Sequence, residues 1–402
     1  MKVSVKGHFR DLFAFKRLVP KRRKRILGAP DTPVTSDAVN ALARSLHPEA
    51  MHLIIDDIRD ETPTTKTFRL VADKAAGTTD LAFFRAGQYL SIKTAVEGIA
   101  ISRPYSISSS PREALDGFYE ITIRKKAGGF LTEHIWNTWQ TGQTLVSSGP
   151  AGFFYYNTLR DTNHIVGFAG GSGITPFRSM LKDILDNDID LSFTLLYGTR
   201  CADDIIFHHE LKALARKAPE RLKVVVVCSE PDESWKGPRG FLTKDTLRNH
   251  VGDVTDTTFF ICGPPAMHAF LDTELAELQR PVKRIRREAY GDILDITRYD
   301  DFPRDVIETT FTLTVHMGRE TREIPAAATE SVLVAMERAN LAPPSQCRSG
   351  ECGFCRALLH TGTIYVVPGN DGRRAADKKF NYFHPCYAYP LSDLEITVPK
   401  TD

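Results

Sequence analysis

Across 402 residues there is no uninterrupted apolar run that approaches the roughly 20 residues of a membrane-spanning helix. The amino-terminal stretch MKVSVKGHFRDLF has neither the apolar h-region nor the small-residue cleavage site of a secretory signal. Both absences lead us to expect a cytoplasmic chain with no transmembrane segment. Neither sign of charge is in surplus: 52 Lys and Arg stand against 50 Asp and Glu, a net charge of +2, which gives nucleic-acid binding little electrostatic support. Cysteine is scarce, seven in all, and an odd count in a reducing compartment excludes a complete disulfide framework. A chain of this length is expected to build about two to four globular units, each with its own core.

Scarce as it is, cysteine is concentrated. CRSGECGFC, residues 347–355, sets Cys347, Cys352 and Cys355 at C-x4-C-x2-C, and Cys386 follows in FHPCYAYPLSD. Four thiolates at this spacing suit a [2Fe–2S] cluster. Zinc is the competing occupant, but it favours paired C-x2-C knuckles, and only one pair here has that spacing. Gly350 and Gly353 suit a loop whose backbone N–H groups must come close to sulfides. Around it, FTLTVHMGRETREIPA reads as two short strands about a Met317-Gly318 turn, SVLVAMERANL as a helix and LEITV as a closing strand. In spacing and residue type, CRSGECGFC and PLSDLEI resemble the plant-type ferredoxin domain, which implies an α+β, β-grasp-like fold over 309–402. Cys201 and Cys228 have no spaced partner and are read as structural, and the His208-His209 pair as helix surface.

Upstream, QYLSIK reads as a strand, and Arg103-Pro104-Tyr105-Ser106 as a polar strand edge. A flavin asks for a cation at its phosphate, an aromatic face or hydroxyl along ring and ribityl chain, and a hydrogen-bond donor near N5, which this edge offers in order. In KKAGGFLTEHIWNTW a Gly-Gly turn enters a helix whose free N–H groups and dipole would favour an anion. Gly128, Gly129, Phe130, Leu131 and Thr132 are therefore candidates for a flavin pyrophosphate, with a plain helix cap as the alternative. Next, the apolar strand 164–169 runs into Gly170-Gly171-Ser172-Gly173 and a helix carrying Pro176. This is not G-x-G-x-x-G, but it makes the same strand, glycine turn and helix that seat a dinucleotide. Three more strand–helix pairs follow, so a parallel α/β sheet is expected, with ligand at strand ends bearing Gly198-Thr199-Arg200, Cys228-Ser229 and Cys262-Gly263-Pro264-Pro265.

RPYS, GGFLT, GGSGITP and CGPPAM, in that order, are similar to motifs of the ferredoxin-NADP reductase family. The resemblance implies an antiparallel flavin-binding β-barrel over 49–157 and an α/β parallel-sheet NAD(P) domain over 158–297. It makes Arg103, Pro104, Tyr105 and Ser106 flavin contacts and Thr132 a pyrophosphate contact. It assigns the nicotinamide nucleotide to Gly171, Ser172, Gly173, Ile174, Thr175 and Pro176, with Thr199, Arg200, Gly263 and Pro264 at the strand ends. Cys262 falls beside the nicotinamide, so Ser106 and Cys262 are the catalytic candidates; the plainer reading of Cys262 is a small buried hydrophobe. Tyr290 is either a ring stacked on the flavin or a core tyrosine. The GGFLT helix start favours FAD and leaves FMN open. Arg200 would suit a 2′-phosphate while Asp203 and Asp204 pull the other way; NADH is the expected donor, with NADPH open.

The order of flavin, nucleotide and ferredoxin domains resembles the one-component reductases of multicomponent oxygenases and of hybrid-cluster proteins. It implies electrons passing from NAD(P)H through flavin to the cluster and on to a separate protein. A second reading is an electron carrier docked constitutively in a larger complex through its basic arm. Residues 298–308, charged and proline-containing, are expected as a linker. Residues 1–48 match nothing in the family and carry five consecutive cations at Lys21 to Arg25; they read as a solvated arm, a dock for an acidic partner, or a weak membrane-surface contact by residues 1–30.

Overall fold

The computed structural model describes residues 9–29, 37–279, 281–289, 293, 295–367 and 371–399. The chain divides into two compact units, Met1–Ser45 and Leu46–Asp402. The first carries α1 (Phe9–Leu27) and most of α2 (Ala38–Leu46). In α1 Asp11 sits in the first turn and Lys24 and Arg25 in the last, the order that the helix dipole favours.

In the larger unit, β1 (Met51–Thr62), β2 (Thr65–Ala72), β3 (Tyr89–Val96), β4 (Ile99–Ser106), β5 (Phe118–Arg124) and β6 (Thr144–Ser147) pair antiparallel in the order β4-β3-β6-β1-β2-β5. The bridge Ile107↔Ile121 joins the continuation of β4 to β5 and closes the sheet into a barrel. Alternation explains the core: Leu53 and Ile55, Phe68 and Leu70, Ile121 and Ile123 all point inward. Helices α3 (Pro111–Leu115) and α4 (Phe130–Thr138) lie in its connections.

A five-stranded sheet follows, with β7 (His164–Gly170), β8 (Ser192–Thr199), β9 (Leu222–Cys228), β10 (Thr258–Gly263) and β11 (Ile285–Ala289) all parallel in the order β11-β10-β7-β8-β9. Its strands are apolar on both faces because helices cover both. Ile165, Phe193 and Leu195 pack with Phe177 and Leu181 of α5 (Thr175–Asp186) and Leu211 of α6 (His208–Lys217). Val166, Phe168 and Leu196 pack with Leu247 of α7 (Lys244–His250) and Leu271 of α8 (Pro265–Ala276). Strand order reverses between β7 and β10, which opens the crevice where such sheets take ligand.

The last domain contains β12 (Thr310–Met317), β13 (Glu320–Ala327), α9 (Val332–Arg338), β14 (Ala357–Thr361), β15 (Ile364–Val366), α10 (Ala375–Lys379), β16 (Tyr382–Phe383), β17 (Ala388–Pro390) and β18 (Leu394–Val398). Its sheet runs β13-β12-β18-β14-β16, with β12 and β18 parallel, and α9 packs across it. The three domains thus have the fold class expected from the sequence. Residues 298–308, expected as a linker, pack on the last domain: Phe302 is buried in the ferredoxin core with its ring 5.1 Å from Tyr365, and Asp301 accepts a hydrogen bond from the Tyr365 hydroxyl at 2.7 Å.

Barrel and α/β domain are joined by Phe154, whose ring packs on Phe177 and Phe260 at 5.7 and 5.2 Å, and by buried polar contacts. Arg178 of α5, almost fully buried, donates to Glu120 at 2.6 Å, to the Ser108 carbonyl at 2.8 Å and to Glu210 at 2.7 Å. Ser179 donates to the Ser109 carbonyl at 2.6 Å, and Arg124 meets Asp204 at 2.8 Å.

Candidate active site

A cleft of about 450 Å³ opens where all three domains meet. The barrel contributes Tyr89, Pro104 and Gly152; β11 contributes Arg286, Arg287 and Glu288; the cysteine loop contributes Cys347, Glu351 and Cys352. Gly152, at φ +103°, lets the Tyr89 ring lie flat along the wall, since a Cβ there would fall 2.9 Å from the ring. A cleft of this size with an aromatic wall and cationic rim suits a planar, phosphorylated ring system.

The catalytic candidates do not line the cleft themselves but both adjoin Glu288, which does. The Ser106 hydroxyl donates to Glu288 Oε1 at 3.0 Å, and Cys262, fully buried, pairs in register with Glu288 across β10 and β11. Tyr89 lies opposite Ser106 in the barrel. Burial first, and then the nearby charges of Cys347, Cys352, Glu288 and Glu351, push the Tyr89 phenol far above its usual range, so it stays a neutral donor. Burial and the Cys347 charge likewise push the Glu351 carboxyl up to about 7. Glu288 and Tyr89 escaped the sequence reading; Tyr89 is the second residue of the strand read as QYLSIK, and Glu288 is marked only by its partner in the assembled interface.

The other predicted flavin residues are more dispersed. Arg103 donates to the Ser102 carbonyl at 2.9 Å and lies 3.7 Å from Glu337 of α9, on the ferredoxin side. Burial holds the Tyr105 phenol well above its usual value, against the pull of Arg103. Residues 128–132 do not line the cleft. At the start of α4 the Gly128 N–H donates to Glu133 at 2.9 Å and the Lys126 N–H to the Thr132 hydroxyl at 3.1 Å, while Gly129, the N-cap, has no side-chain cap hydrogen bond. Tyr290 lies outside the described residues.

The nucleotide motif sits at the switch point. Gly171, at φ +53°, turns the chain beside the Arg124 guanidinium, and Gly173 is pressed on Cys262: a Cβ there would be 2.6 Å from the Cys262 carbonyl carbon. Ser172 to Ile174 continue into α5 at Thr175 and Pro176, and the Thr175 hydroxyl donates to the Ser172 carbonyl at 3.0 Å. Pro264 caps α8 next to Gly263 on the facing strand. Arg200 is exposed, with Nε 3.8 Å from Asp204; Thr199 is buried beside it. Glu230, two residues beyond β9, donates its N–H to the Arg200 carbonyl at 2.8 Å and was not anticipated.

The cysteines form one nest. Cys355 and Cys386 sulfurs lie 3.4 Å apart, the Ser349 and Cys352 N–H groups donate to Cys347 Sγ at 3.5 and 3.4 Å, and the Phe354 N–H donates to Cys352 Sγ at 3.4 Å. Contacts from the Cys352 and Cys386 thiols, reinforced by those amides, hold Cys347 far below an ordinary thiol. Gly350 and Gly353 have φ +78° and +70°, and a Cβ on Gly350 would strike the Tyr387 side chain at 2.9 Å. Thiol donors ringed by amides on a left-handed loop fit a [2Fe–2S] cluster. Behind the nest Arg348, fully buried, makes a two-pronged pair with Glu337, one arm at 2.9 Å.

Comparison with known proteins agrees with this layout. The oxidoreductase FAD-binding domain matches residues 52–156, the oxidoreductase NAD-binding domain residues 168–273, and the 2Fe-2S iron-sulfur cluster binding domain residues 315–391. The chain is 30% identical over 322 residues to the ferredoxin reductase component of 3-ketosteroid-9-alpha-monooxygenase from Mycobacterium tuberculosis, covering 78% of this chain and 85% of that protein. It is 27% identical over 348 residues to the glycine betaine monooxygenase reductase subunit of Chromohalobacter salexigens, covering 84% and 92%. In structure it is similar to phthalate dioxygenase reductase, with a TM-score of 0.61 at 22% identity over 87% of this chain and 98% of that one.

Proposed function

The chain belongs to the family of NAD(P)H-dependent reductases that carry FAD and a [2Fe–2S] cluster for oxygenase systems, and on that premise we propose that it takes electrons from NADH and delivers them singly to a separate oxygenase. The observation that supports this best is the single cleft bordered at once by Ser106's partner Glu288 and by the thiol loop. When bound there, the flavin supplies the change from two-electron to one-electron transfer. The protein's part is placement. Tyr89 and Pro104 form the wall, and Ser106, its proton given to Glu288, keeps lone pairs for a proton-bearing partner. Cys262 and Gly173 bring the nucleotide crevice to the same point. Arg103, Tyr105 and residues 128–132 are assigned to the flavin; Gly171 to Pro176, Thr199, Arg200, Gly263 and Pro264 to the nucleotide; Cys347, Cys352, Cys355 and Cys386 to the cluster. The NADH preference is supported by two acids: Asp204 beside Arg200 answers the cation a 2′-phosphate would need, and Glu230 lies two residues beyond the neighbouring strand β9. The domains are assigned as 49–157, 158–297 and 309–402, with 298–308 folded onto the last and a cytoplasmic setting for the whole.

The test is anaerobic titration of the purified protein with NADH and, separately, NADPH, in wild type and Cys386→Ser. Wild type should show flavin bands over a broader iron–sulfur envelope, both bleaching with NADH. The variant should lose the envelope and cytochrome c reduction while keeping NADH-driven ferricyanide reduction. Zinc in the wild-type thiol nest, with flavin bands alone, would overturn the reading.

A further inference from the structure

Residues 1–27 contain ten Lys or Arg and one acid, Asp11, whereas residues 28–402 hold 42 Lys or Arg against 49 Asp or Glu, a net −7. The chain's near-neutral total therefore conceals a strongly basic arm on an acidic body. At about 100° per residue, Val19 and Ile26 of α1, at i and i+7, share one side with Arg22 and Arg23 flanking them, and Arg17, Lys21 and Lys24 at i, i+4 and i+7 fall on the other. Val19 is 63% and Ile26 65% exposed, and Leu18 and Leu27 are exposed too, so these apolar side chains are not spent on a core. Pro20 leaves the Lys16 carbonyl without its i+4 N–H, a soft point between a phenylalanine-rich half and a cation-rich half.

We propose that α1 is a membrane-surface anchor that lies in the headgroup region of an anionic lipid leaflet, its Val19–Ile26 side down and its Arg17–Lys24 side among the phosphates. A plain polycation would suffice for an acidic protein; the apolar pair set opposite Arg17, Lys21 and Lys24 is what an interface between water and acyl chains rewards. No helix among the described residues is long and apolar enough to cross a membrane, so the contact is peripheral. The inference stands apart from the redox chemistry and does not depend on it.

The experiment is flotation of the full-length holoenzyme with vesicles of phosphatidylcholine alone or with about one-third phosphatidylglycerol, at low and high salt. The protein should float only with the anionic vesicles and come off in salt. At about fivefold in affinity per cation, the triple variant Arg17→Glu, Lys21→Glu, Lys24→Glu should bind at least a hundredfold more weakly. The double variant Val19→Gln, Ile26→Gln should lose roughly tenfold at unchanged charge, with NADH-driven ferricyanide reduction normal in both. Absence of lipid binding, equal binding to neutral vesicles, or an unimpaired Val19/Ile26 variant that binds polyglutamate as tightly as lipid would overturn the proposal.

Discussion

Replacing Arg178 with methionine tests whether the joint between barrel and nucleotide domain rests on one buried cation. Its guanidinium holds Glu120, the Ser108 carbonyl and Glu210, and lies 4.6 Å over the Phe207 ring. Methionine keeps much of the bulk but leaves the buried Glu120 carboxylate with Arg59 alone, at 2.5 Å and half in solvent. Removing one member of a buried pair costs about 3–5 kcal/mol, and the surviving Arg59 contact argues for the lower end. Glu210 is partly exposed and adds little. A loss of about 3 kcal/mol in a unit of this size lowers the midpoint of thermal flavin release by roughly 6–12 °C. The double variant Arg178→Met, Glu120→Gln should recover about half of that, because no buried charge is then stranded. A single variant within about 1 kcal/mol of wild type, or a double variant worse than the single, would refute the reasoning.

The same carboxylate gives the protein an acid limit. Burial pushes Glu120 up, but Arg178 and Arg59 together pull it below its ordinary 4.5, so the stability it contributes is complete above that value and drains away as pH falls through the lower folded one; unfolding scans across that window should be steep in wild type and flatter in Arg178→Met. Gly173→Ala sets a methyl 2.6 Å from the Cys262 carbonyl carbon and 2.9 Å from Gly263 Cα, both backbone, so stopped-flow reduction should show NADH affinity at least about tenfold weaker. Glu337→Ala takes the paired carboxylate from fully buried Arg348, next to Cys347, and should lower both iron content and the melting midpoint, checked by iron assay and calorimetry.

How much of this the sequence disclosed follows from how local each feature is. Cys347, Cys352 and Cys355 lie within nine residues, so their spacing alone carries the cluster. GGSGITP is likewise one continuous turn, and the structure places it at the switch point. Glu288 was missed because it meets Ser106 across 182 residues, and Arg178 because Glu120 lies 58 residues away on another domain's strand. Nothing in either local pattern marks a partner that only the assembled interface supplies. Arg103 is a mixed case: its motif was legible, but not that the same strand supports the ferredoxin domain through Glu337 and through Ser102, whose hydroxyl donates to the Ser345 carbonyl at 3.0 Å.

Folding residues 298–308 onto the ferredoxin core changes the kinetics of the whole chain. Glu288 is fixed in the cleft and Ile296 is buried in the ferredoxin core, eight residues on. Eight residues fully extended reach at most about 29 Å. Even if the ferredoxin domain lifted off β4, it could not wander farther than that leash, and a tether so short keeps it at an effective concentration in the millimolar range. Transfer from flavin to cluster is therefore first order. Dilution leaves the turnover of each molecule unchanged until NADH or the separate acceptor, neither of which is on the leash, becomes scarce.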